Sequence, residues 1–424
     1  ITDRTKDNRT WVVAFGSPDD VPTYWLWNRD TQTGKKLFTT WPALEGQPLV
    51  EMKAVEIPAR DGLVSPSYLT LPAGYTGEQK LPMVVLVHGG PWARDSWGYN
   101  PYHQWLANRG YAVLSPNFRG STGFGKKHVN AGDREWYGKM QDDINDAAAW
   151  AVQEGFADEN RMCIMGGSYG GYATLAGLTR DPELWACGID IVGPSHVGTL
   201  LKTIPPYWAP AIAMFTSRVG SLEEPEFLDS ISPLTHVKNI NKPLLIGQGA
   251  NDPRVKLSES DQIVDAMNEA GLPVTYIVFP DEGHGFRNPK NNMAFNAATE
   301  LFLAKHLGGR IEPIGNSIDD STAQLRDKGG LDFGDAETFV EEEGKEEETS
   351  DLLTMQVSME DLTPAQKAQL TQSLAQLDQM PADMLKMVLD MTLAQERTIP
   401  ESDRSLAALL VQALAEKIDE KKSE

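Results

Sequence analysis

The pattern of hydrophobic and polar residues changes three times along the chain, and its first part covers residues 1–51. Three short runs rich in aromatic and apolar residues are separated by turn-forming residues, which predicts antiparallel strands. Three strands of this kind cannot form an independent β domain, so they are either one blade of a β-propeller or a local sheet packed on the main domain. The runs lie at 11–15, 24–27 and 36–39.

Residues 52–309 alternate between the patterns of buried strands and of helices. The run at 82–87 is apolar throughout, which is typical of a strand that is covered on both faces. Helical stretches at 142–153 and 258–270 lie between such runs. The alternation predicts an α/β fold with a mostly parallel sheet and helices on both faces. Similar strand patterns occur at 111–114, 162–165, 188–192, 243–246 and 274–278.

The chain changes character again after Gly309. Residues 310–352 are polar and increasingly acidic, which predicts a solvated linker. Residues 353–424 predict a helical extension with Thr363 as an N-cap residue, followed by proline at the first helical position. The extension either packs on itself or binds a partner, and homo-oligomer formation through these helices is one form of such binding.

Composition and charge limit the classes of partner. The 424 residues carry a formal net charge of -22, whereas nucleic-acid binding needs clustered Lys and Arg, so we expect no nucleic-acid partner. The sequence contains no run of about eighteen apolar residues, so we expect no membrane span. Cys163 and Cys187 lie in apolar strand patterns and are expected to be buried free thiols. No spacing of Cys and His predicts a metal site.

The start of the chain bears on its compartment. It begins at Ile1 and lacks the basic and apolar pattern of a signal peptide, so we expect it to be a piece of a longer protein. Its two cysteines do not decide between the cytoplasm and the periplasm, and the sequence therefore assigns no compartment.

The strongest chemical signal is a glycine-rich turn around Ser168. The residues from Gly166 to Gly171 read GGSYGG, follow a strand pattern and precede a helix of small residues, as a nucleophile elbow requires. Because the backbone at such a serine is strained, bulky neighbours would collide with the strand and the helix. We interpret Ser168 as a nucleophile.

A serine nucleophile needs a positioned base, and the base needs a carboxylate. Of the seven histidines, only His284 lies in a glycine-flanked loop directly after a strand pattern. Asp252 follows another strand pattern, and the chain order Ser, Asp, His is that of the α/β-hydrolases. We predict that Ser168, Asp252 and His284 form a catalytic triad at the carboxyl edge of an α/β-hydrolase sheet.

An oxyanion that forms beside the serine needs backbone N–H donors. The residue after the nucleophile, Tyr169, supplies one in this fold, and a glycine-rich turn after an earlier strand supplies the other. That turn is His88-Gly89-Gly90-Pro91, and we predict Gly89 as the second donor. His88 is interpreted as a structural hydrogen-bonding residue.

Five motifs of the chain carry a family resemblance. They lie at 88–91 (HGGP), 117–123 (NFRGSTG), 166–171 (GGSYGG), 251–255 (NDPRV) and 283–285 (GHG). Together they resemble those of the prolyl oligopeptidase family of serine peptidases, and its acylaminoacyl-peptidase and dipeptidyl-peptidase branch most closely. The resemblance covers residues 52–308 and implies a peptidase active on short peptides. It also implies that residues 1–51 are the last blade of a β-propeller that filters substrates by size.

The resemblance also suggests substrate contacts. It implies that Arg254 binds a peptide carbonyl of the substrate, with a surface salt bridge as the alternative. Tyr207 and Trp208 are the best candidates for the pocket that receives the side chain before the scissile bond, since an aromatic wall suits proline or another apolar residue. The alternative for these two residues is ordinary core packing.

Three functions therefore remain open. The first is a serine peptidase that hydrolyses short peptides or acyl-aminoacyl substrates through an acyl-enzyme, without cofactor or metal. The second is a carboxylesterase with the same triad. The third is a non-catalytic protein whose acidic linker and C-terminal helices bind a partner, and an intact triad argues against it. Exopeptidase and endopeptidase action are not distinguished by the sequence.

Overall fold

The strands and helices follow one another in the alternating order of an α/β protein. The computed structural model describes residues 1–204 and 212–333, scattered positions between 358 and 374, and residues 404–423. The chain divides into two units, Ile1–Val340 and Glu341–Glu424. The strands are β1 (Asp3–Arg4), β2 (Thr10–Ser17), β3 (Asp20–Asn28), β4 (Thr33–Thr39), β5 (Met52–Pro58), β6 (Val64–Thr70), β7 (Leu81–Val87), β8 (Ala112–Pro116), β9 (Ala157–Gly167), β10 (Cys187–Ile191), β11 (Leu244–Gly249), β12 (Val274–Phe279) and β13 (Gln324–Lys328). The helices are α1 (Pro101–Asn108), α2 (Lys126–Asn130), α3 (Lys139–Gln153), α4 (Tyr169–Arg180), α5 (Val197–Lys202), α6 (Ile212–Arg218), α7 (Pro225–Ser230), α8 (Leu257–Glu269), α9 (Pro289–Leu307) and α10 (Arg404–Ser423), with short 3-10 helices at Pro42–Leu44, Pro182–Leu184 and Pro233–Asn239.

The central sheet has nine strands in the order β13-β12-β11-β10-β9-β7-β8-β6-β5. The six strands from β12 to β8 in that order pair in parallel, whereas β13, β6 and β5 are antiparallel to their neighbours. The predicted α/β-hydrolase fold with a mostly parallel sheet is confirmed. Because the middle strands run in one direction, their carboxyl ends meet at one edge.

Both faces of the sheet are covered, as the apolar runs predict. Successive residues of one strand belong to different hydrophobic clusters, since side chains alternate across a sheet. In β7, Met83 and Val85 face one cluster, which includes residues of α3, α4 and α8, and Val84 faces the other, which includes residues of α1 and α9. Cys163 and Cys187 are buried free thiols on neighbouring strands, which confirms that prediction.

Residues 1–51 form a separate antiparallel sheet in the order β1-β2-β3-β4. The predicted strands are present, and the two-residue strand β1 is added to them. Several large apolar side chains of this segment are exposed, among them Phe15, Phe38 and Trp41. Its interpretation as a propeller blade remains a prediction.

The segment after α9 differs from the predicted linker. Within 310–333, β13 pairs with β12 at the edge of the central sheet, and the side chains of Ile318, Leu325 and Phe333 are buried. An edge strand needs apolar residues on one face only, so five mostly polar residues suffice to form it. The linker prediction is therefore corrected for this part, which we call the strap (residues 311–333), while 334–352 lie outside the described residues.

The second unit contains the predicted N-cap. Thr363 Oγ1 accepts a hydrogen bond from the backbone N–H of Gln366 at 3.3 Å, and the Gln366 side chain accepts one from the N–H of Thr363 at 3.0 Å, which is a capping box. Ala408, Val411 and Leu414 on α10 are buried at helical spacing. Within the described part of the chain, the helices lack the apolar length that a membrane span needs.

Candidate active site

Ser168 lies between β9 and α4 with a backbone that few residues adopt. Its φ is 59° and its ψ is -117°. Its N–H donates a hydrogen bond to the carbonyl of Ile191 at 2.8 Å. Cβ atoms built on Gly166 and Gly170 would lie 2.5 Å and 2.1 Å from the carbonyl oxygen of Val87, so only glycine fits at either position. The glycines therefore allow the sharp turn that presents the serine.

Asp252 and His284 are joined by a short hydrogen bond. The Asp252 Oδ2 to His284 Nδ1 distance is 2.6 Å, and the aspartate side chain is fully buried. The other carboxylate oxygen, Oδ1, accepts the backbone N–H groups of Arg254 at 2.8 Å and Val255 at 3.0 Å. These bonds hold the carboxylate in one orientation. They favour the histidine tautomer with the proton on Nδ1, which leaves Nε2 as a proton acceptor.

The three residues follow strands that end at the same edge of the sheet. Ser168 follows β9, Asp252 comes after β11 and His284 after β12. The loops that carry the last two pack closely, because Asn251 donates hydrogen bonds through its N–H to Glu282 at 2.9 Å and through its side chain to Pro280 at 2.6 Å. This edge is where ligands bind in open α/β sheets.

The predicted glycine-rich turn lies directly beside the serine. A Cβ atom on Gly89 would lie 2.9 Å from the carbonyl oxygen of Gly167 and 3.3 Å from Cβ of Ser168. Tyr169, the first residue of α4, has a buried side chain. The first N–H groups of a helix have no acceptor within that helix, so the N–H of Tyr169 is suited to bind an anion.

Both ring nitrogens of His88 make hydrogen bonds. Nδ1 lies 2.8 Å from the Gly89 carbonyl oxygen, and Nε2 lies 2.8 Å from Ser121 Oγ. Its ring stacks on Phe118 with centroids 4.5 Å apart. Burial lowers the pKa of His88 to about 4, so the ring is neutral at pH 7 and has the character of a structural residue.

Comparison with known proteins now identifies the family. The sequence model of the prolyl oligopeptidase family matches residues 97–310 of the chain. The chain belongs to the prolyl oligopeptidase family. The predicted resemblance to this family is therefore confirmed.

Relatives in the prolyl oligopeptidase family are named as peptidases. The chain is 56% identical over 334 residues to dipeptidyl aminopeptidase BIII of Pseudoxanthomonas mexicana, with 77% of this chain and 48% of the relative covered. It is 41% identical over 350 residues to dipeptidyl peptidase family member 6 of Caenorhabditis elegans, with 77% and 47% covered. The chain therefore spans about half the length of the curated relatives it matches.

Solved structures of two peptidases share the fold. A puromycin-hydrolyzing peptidase of Mycobacterium tuberculosis superposes with a TM-score of 0.66 at 27% identity, over 72% of this chain and 47% of that one. An acylaminoacyl peptidase of Pyrococcus horikoshii gives a TM-score of 0.63 at 23% identity, over 72% and 49%. The second likeness shows the fold alone.

An ion-pair network that the sequence does not reveal holds the 117–123 motif, which contacts the glycine-rich turn. The buried Arg119 binds Asp61 at 2.9 Å and Asp143 at 2.7 Å, and this contact lowers the pKa of Asp61 to about 2. Arg119 lies in the 117–123 motif, whose Ser121 contacts His88. The sequence shows the motif, but its two acidic partners are distant in the chain and carry no local signal.

A second missed residue, Glu282, shapes the histidine loop. Its buried carboxylate accepts the backbone N–H groups of Arg287 at 2.9 Å and Asn288 at 2.8 Å, and the side-chain amide of Asn291 at 3.0 Å. These bonds close the loop that contains His284. The signal in the sequence that points to Glu282 is an acidic residue within a glycine-flanked loop.

The remaining predicted contacts have different outcomes. Arg254 lies in the same loop as Asp252 and is exposed at the surface. Tyr207 and Trp208 lie outside the described residues. The substrate-binding roles of all three remain predictions. Among the described residues no group of His, Cys, Asp and Glu could hold a metal ion.

Proposed function

We propose that this chain carries the catalytic domain of a serine peptidase that hydrolyses short peptides or acyl-aminoacyl substrates. The observation that carries the proposal is the 2.6 Å hydrogen bond between Asp252 and His284, at the sheet edge where the strained Ser168 also lies. Membership of the prolyl oligopeptidase family supports it. So do relatives named dipeptidyl aminopeptidase and acylamino-acid-releasing enzyme.

The proposed reaction begins with the serine hydroxyl. Ser168 Oγ attacks the carbonyl carbon of the scissile bond while His284 Nε2 takes the hydroxyl proton. Asp252 keeps the imidazole in the required tautomer and stabilises the imidazolium that forms. The attack converts the substrate carbonyl into an oxyanion, which the N–H groups of Tyr169 and Gly89 bind.

The second half of the reaction uses the same residues. His284 gives its proton to the leaving amine, the C–N bond breaks, and the acyl group remains on Ser168 as an ester. His284 then takes a proton from water, the hydroxide attacks the ester, and the proton returns to Ser168 Oγ as the acid product leaves. Atoms and protons balance without cofactor or metal.

The substrate class follows from the relatives and is tested by a panel. We infer one of two preferences. If the chain acts as its relative named dipeptidyl aminopeptidase, it prefers substrates with a free amino terminus. If it acts as its relative named acylamino-acid-releasing enzyme, it prefers substrates with a blocked one. The panel holds a dipeptidyl anilide, an acyl-aminoacyl anilide, a prolyl dipeptide anilide and a short-chain nitrophenyl ester, each tested with wild type and Ser168→Ala.

Each outcome of the panel is informative. Anilide hydrolysis that Ser168→Ala abolishes is the expected result, and the preferred anilide names the branch. Hydrolysis of the ester alone would replace the peptidase proposal by the carboxylesterase. Equal activity of both proteins would contradict the role of Ser168.

A further inference from the structure

Asp190 is a buried carboxyl group for which the proposed reaction has no use. It lies in β10 opposite Gly166 of β9, and its side chain is inaccessible to solvent. Oδ1 accepts the backbone N–H of Gly193 at 2.9 Å, whereas no group in the described part of the chain donates a hydrogen bond to Oδ2. A buried polar atom without a partner is costly, so the position calls for an explanation.

The Asp190 hydrogen bond closes a turn that contacts the nucleophile. Within the turn from Asp190 to Gly193, the carbonyl of Ile191 accepts the N–H of Ser168 at 2.8 Å. The next residue, Val192, has a φ of 50°, a conformation that a β-branched residue rarely adopts without outside support. The bond from Asp190 Oδ1 to Gly193 supplies such support.

The carboxyl group also contacts the start of α4. A Cβ atom on Gly171 would lie 2.1 Å from Asp190 Oδ1, and one on Gly193 would lie 2.3 Å from the same oxygen. The two glycines therefore leave a slot that the carboxyl group fills. The Asp190 side chain thus packs against both the turn that binds the Ser168 amide and the helix that begins with Tyr169.

We propose that Asp190 is a positioning residue that holds the backbone of Ser168 and Tyr169 in the geometry required for attack and for oxyanion binding. This inference rests on the proposed serine peptidase function for its catalytic consequence. Burial raises the pKa of Asp190 to about 7, so a large fraction of the group is protonated in neutral solution. The acceptor at Oδ1, rather than a negative charge, is then what the turn requires.

This distinction allows a test with two substitutions. Asp190→Asn keeps an oxygen acceptor and the size of the side chain, and Asp190→Ala removes the acceptor without adding bulk. Ile189→Ala, on the same strand, is the control for core truncation alone. We expect Asp190→Ala to lower kcat on the best anilide at least tenfold with KM within twofold. We expect Asp190→Asn to stay within about threefold of wild type, and Ile189→Ala to lose thermal stability while keeping its kcat.

A second readout does not depend on catalysis. Hydrogen exchange of the backbone amides of Ser168 and Gly193 should accelerate at least tenfold in Asp190→Ala and not in Ile189→Ala. If wild type hydrolyses no substrate, the proposed function fails, and the exchange rates still decide the role of Asp190.

The contradicting results are specific. An Asp190→Ala protein with unchanged kcat and exchange but a lower Tm would reduce Asp190 to a stabilising residue. Equal losses in Asp190→Ala and Asp190→Asn would show that the acceptor is not what matters. If Asp190→Ala does not fold, Asp190→Asn decides, since loss of its kcat with a native Tm overturns the proposal.

Discussion

The space available for a Cβ atom decides which glycines of the GGSYGG turn can be substituted. A Cβ atom on Gly166 would lie 2.5 Å from the Val87 carbonyl oxygen, whereas one on Gly167 would come no closer than 3.8 Å to Ile191. These two neighbouring glycines thus differ in the space available for a side chain, and the effect of that difference can be measured.

We predict that Gly166→Ala is damaging and Gly167→Ala is tolerated. The methyl group of Gly166→Ala collides with backbone, which cannot move as a side chain can, so the free energy of unfolding should fall by about 1–3 kcal/mol. Anilide hydrolysis should fall as well, because the collision lies two residues before Ser168. Urea unfolding and kcat of both variants check this, and similar behaviour of the two would contradict it.

The Asp252 side chain predicts an effect on catalysis without loss of the fold. In Asp252→Asn, one amide atom can still accept the N–H groups of Arg254 and Val255, but the other donates to His284 and places the imidazole proton on Nε2. We expect kcat to fall by about 10⁴ with little change in Tm, since the wrong tautomer cannot accept the Ser168 proton. A loss below tenfold would contradict the role of His284 as base.

His103 predicts a pH dependence of stability. Its ring nitrogens lie 2.9 Å from Thr70 Oγ1 and 2.9 Å from Ser115 Oγ, and burial lowers its pKa to about 3 from an ordinary value of 6.5. Between these two pH values the unfolded chain binds more protons at this site than the folded one. Acidification therefore removes stability, by about 1.4 kcal/mol per pH unit well below 6.5.

The measurement for His103 is a difference between two proteins. His103→Gln lacks the titrating ring, so its deficit in unfolding free energy relative to wild type should shrink as the solution is acidified from about pH 7 to about pH 5. Burial raises the pKa of Asp190 to about 7, which acts in the opposite direction, and the subtraction cancels it. Parallel pH profiles of the two proteins would contradict the prediction.

At the scale of elements, the strap links the edge of the sheet to the histidine loop. The Thr322 hydroxyl donates to Asp281, three residues before His284, and the Thr322 N–H donates to Asn291 at 3.0 Å. Asn291 in turn donates to Asp281 at 2.9 Å. The strap therefore holds the outer side of the loop that carries the proposed base.

We predict that Thr322→Val lowers kcat severalfold and the free energy of unfolding by about 1 kcal/mol, because it removes the hydroxyl and keeps the shape. Ser321→Ala is the matched control. Among the described residues, its hydroxyl bonds to Ile318 and Ala323 alone, both within the strap, at 2.6 and 3.0 Å. Its loss should therefore affect stability and leave kcat unchanged. Equal kcat in both variants would show that the strap does not act on the histidine loop.

The same elements show what could be predicted from the sequence. Strands such as β7 are apolar on both faces, so a continuous run of apolar residues predicts them. Strand β13 has one buried side chain, Leu325, and is visible only through its pairing with β12. Ser168, Asp252 and His284 each follow a recognisable strand. The partners of Arg119 and the unusual burial of Asp190 depend on distant contacts, which a local pattern does not contain.

At the scale of the whole molecule, the nine-stranded α/β-hydrolase sheet belongs to the same unit as a small antiparallel sheet with exposed aromatic residues. The chain covers about half of its curated relatives, 48% of one and 47% of another. The residues proposed for the reaction all lie in the hydrolase part, at one edge of one sheet. We therefore expect the chain itself to carry the reactive serine.

The most direct measurement of that claim is covalent labelling with a serine-reactive phosphonate, followed by peptide mapping in a mass spectrometer. We predict one adduct per chain on Ser168, no adduct in Ser168→Ala, and much slower labelling in Asp252→Asn and His284→Ala. Labelling of folded wild type at another serine, or no labelling at all, would contradict the central claim.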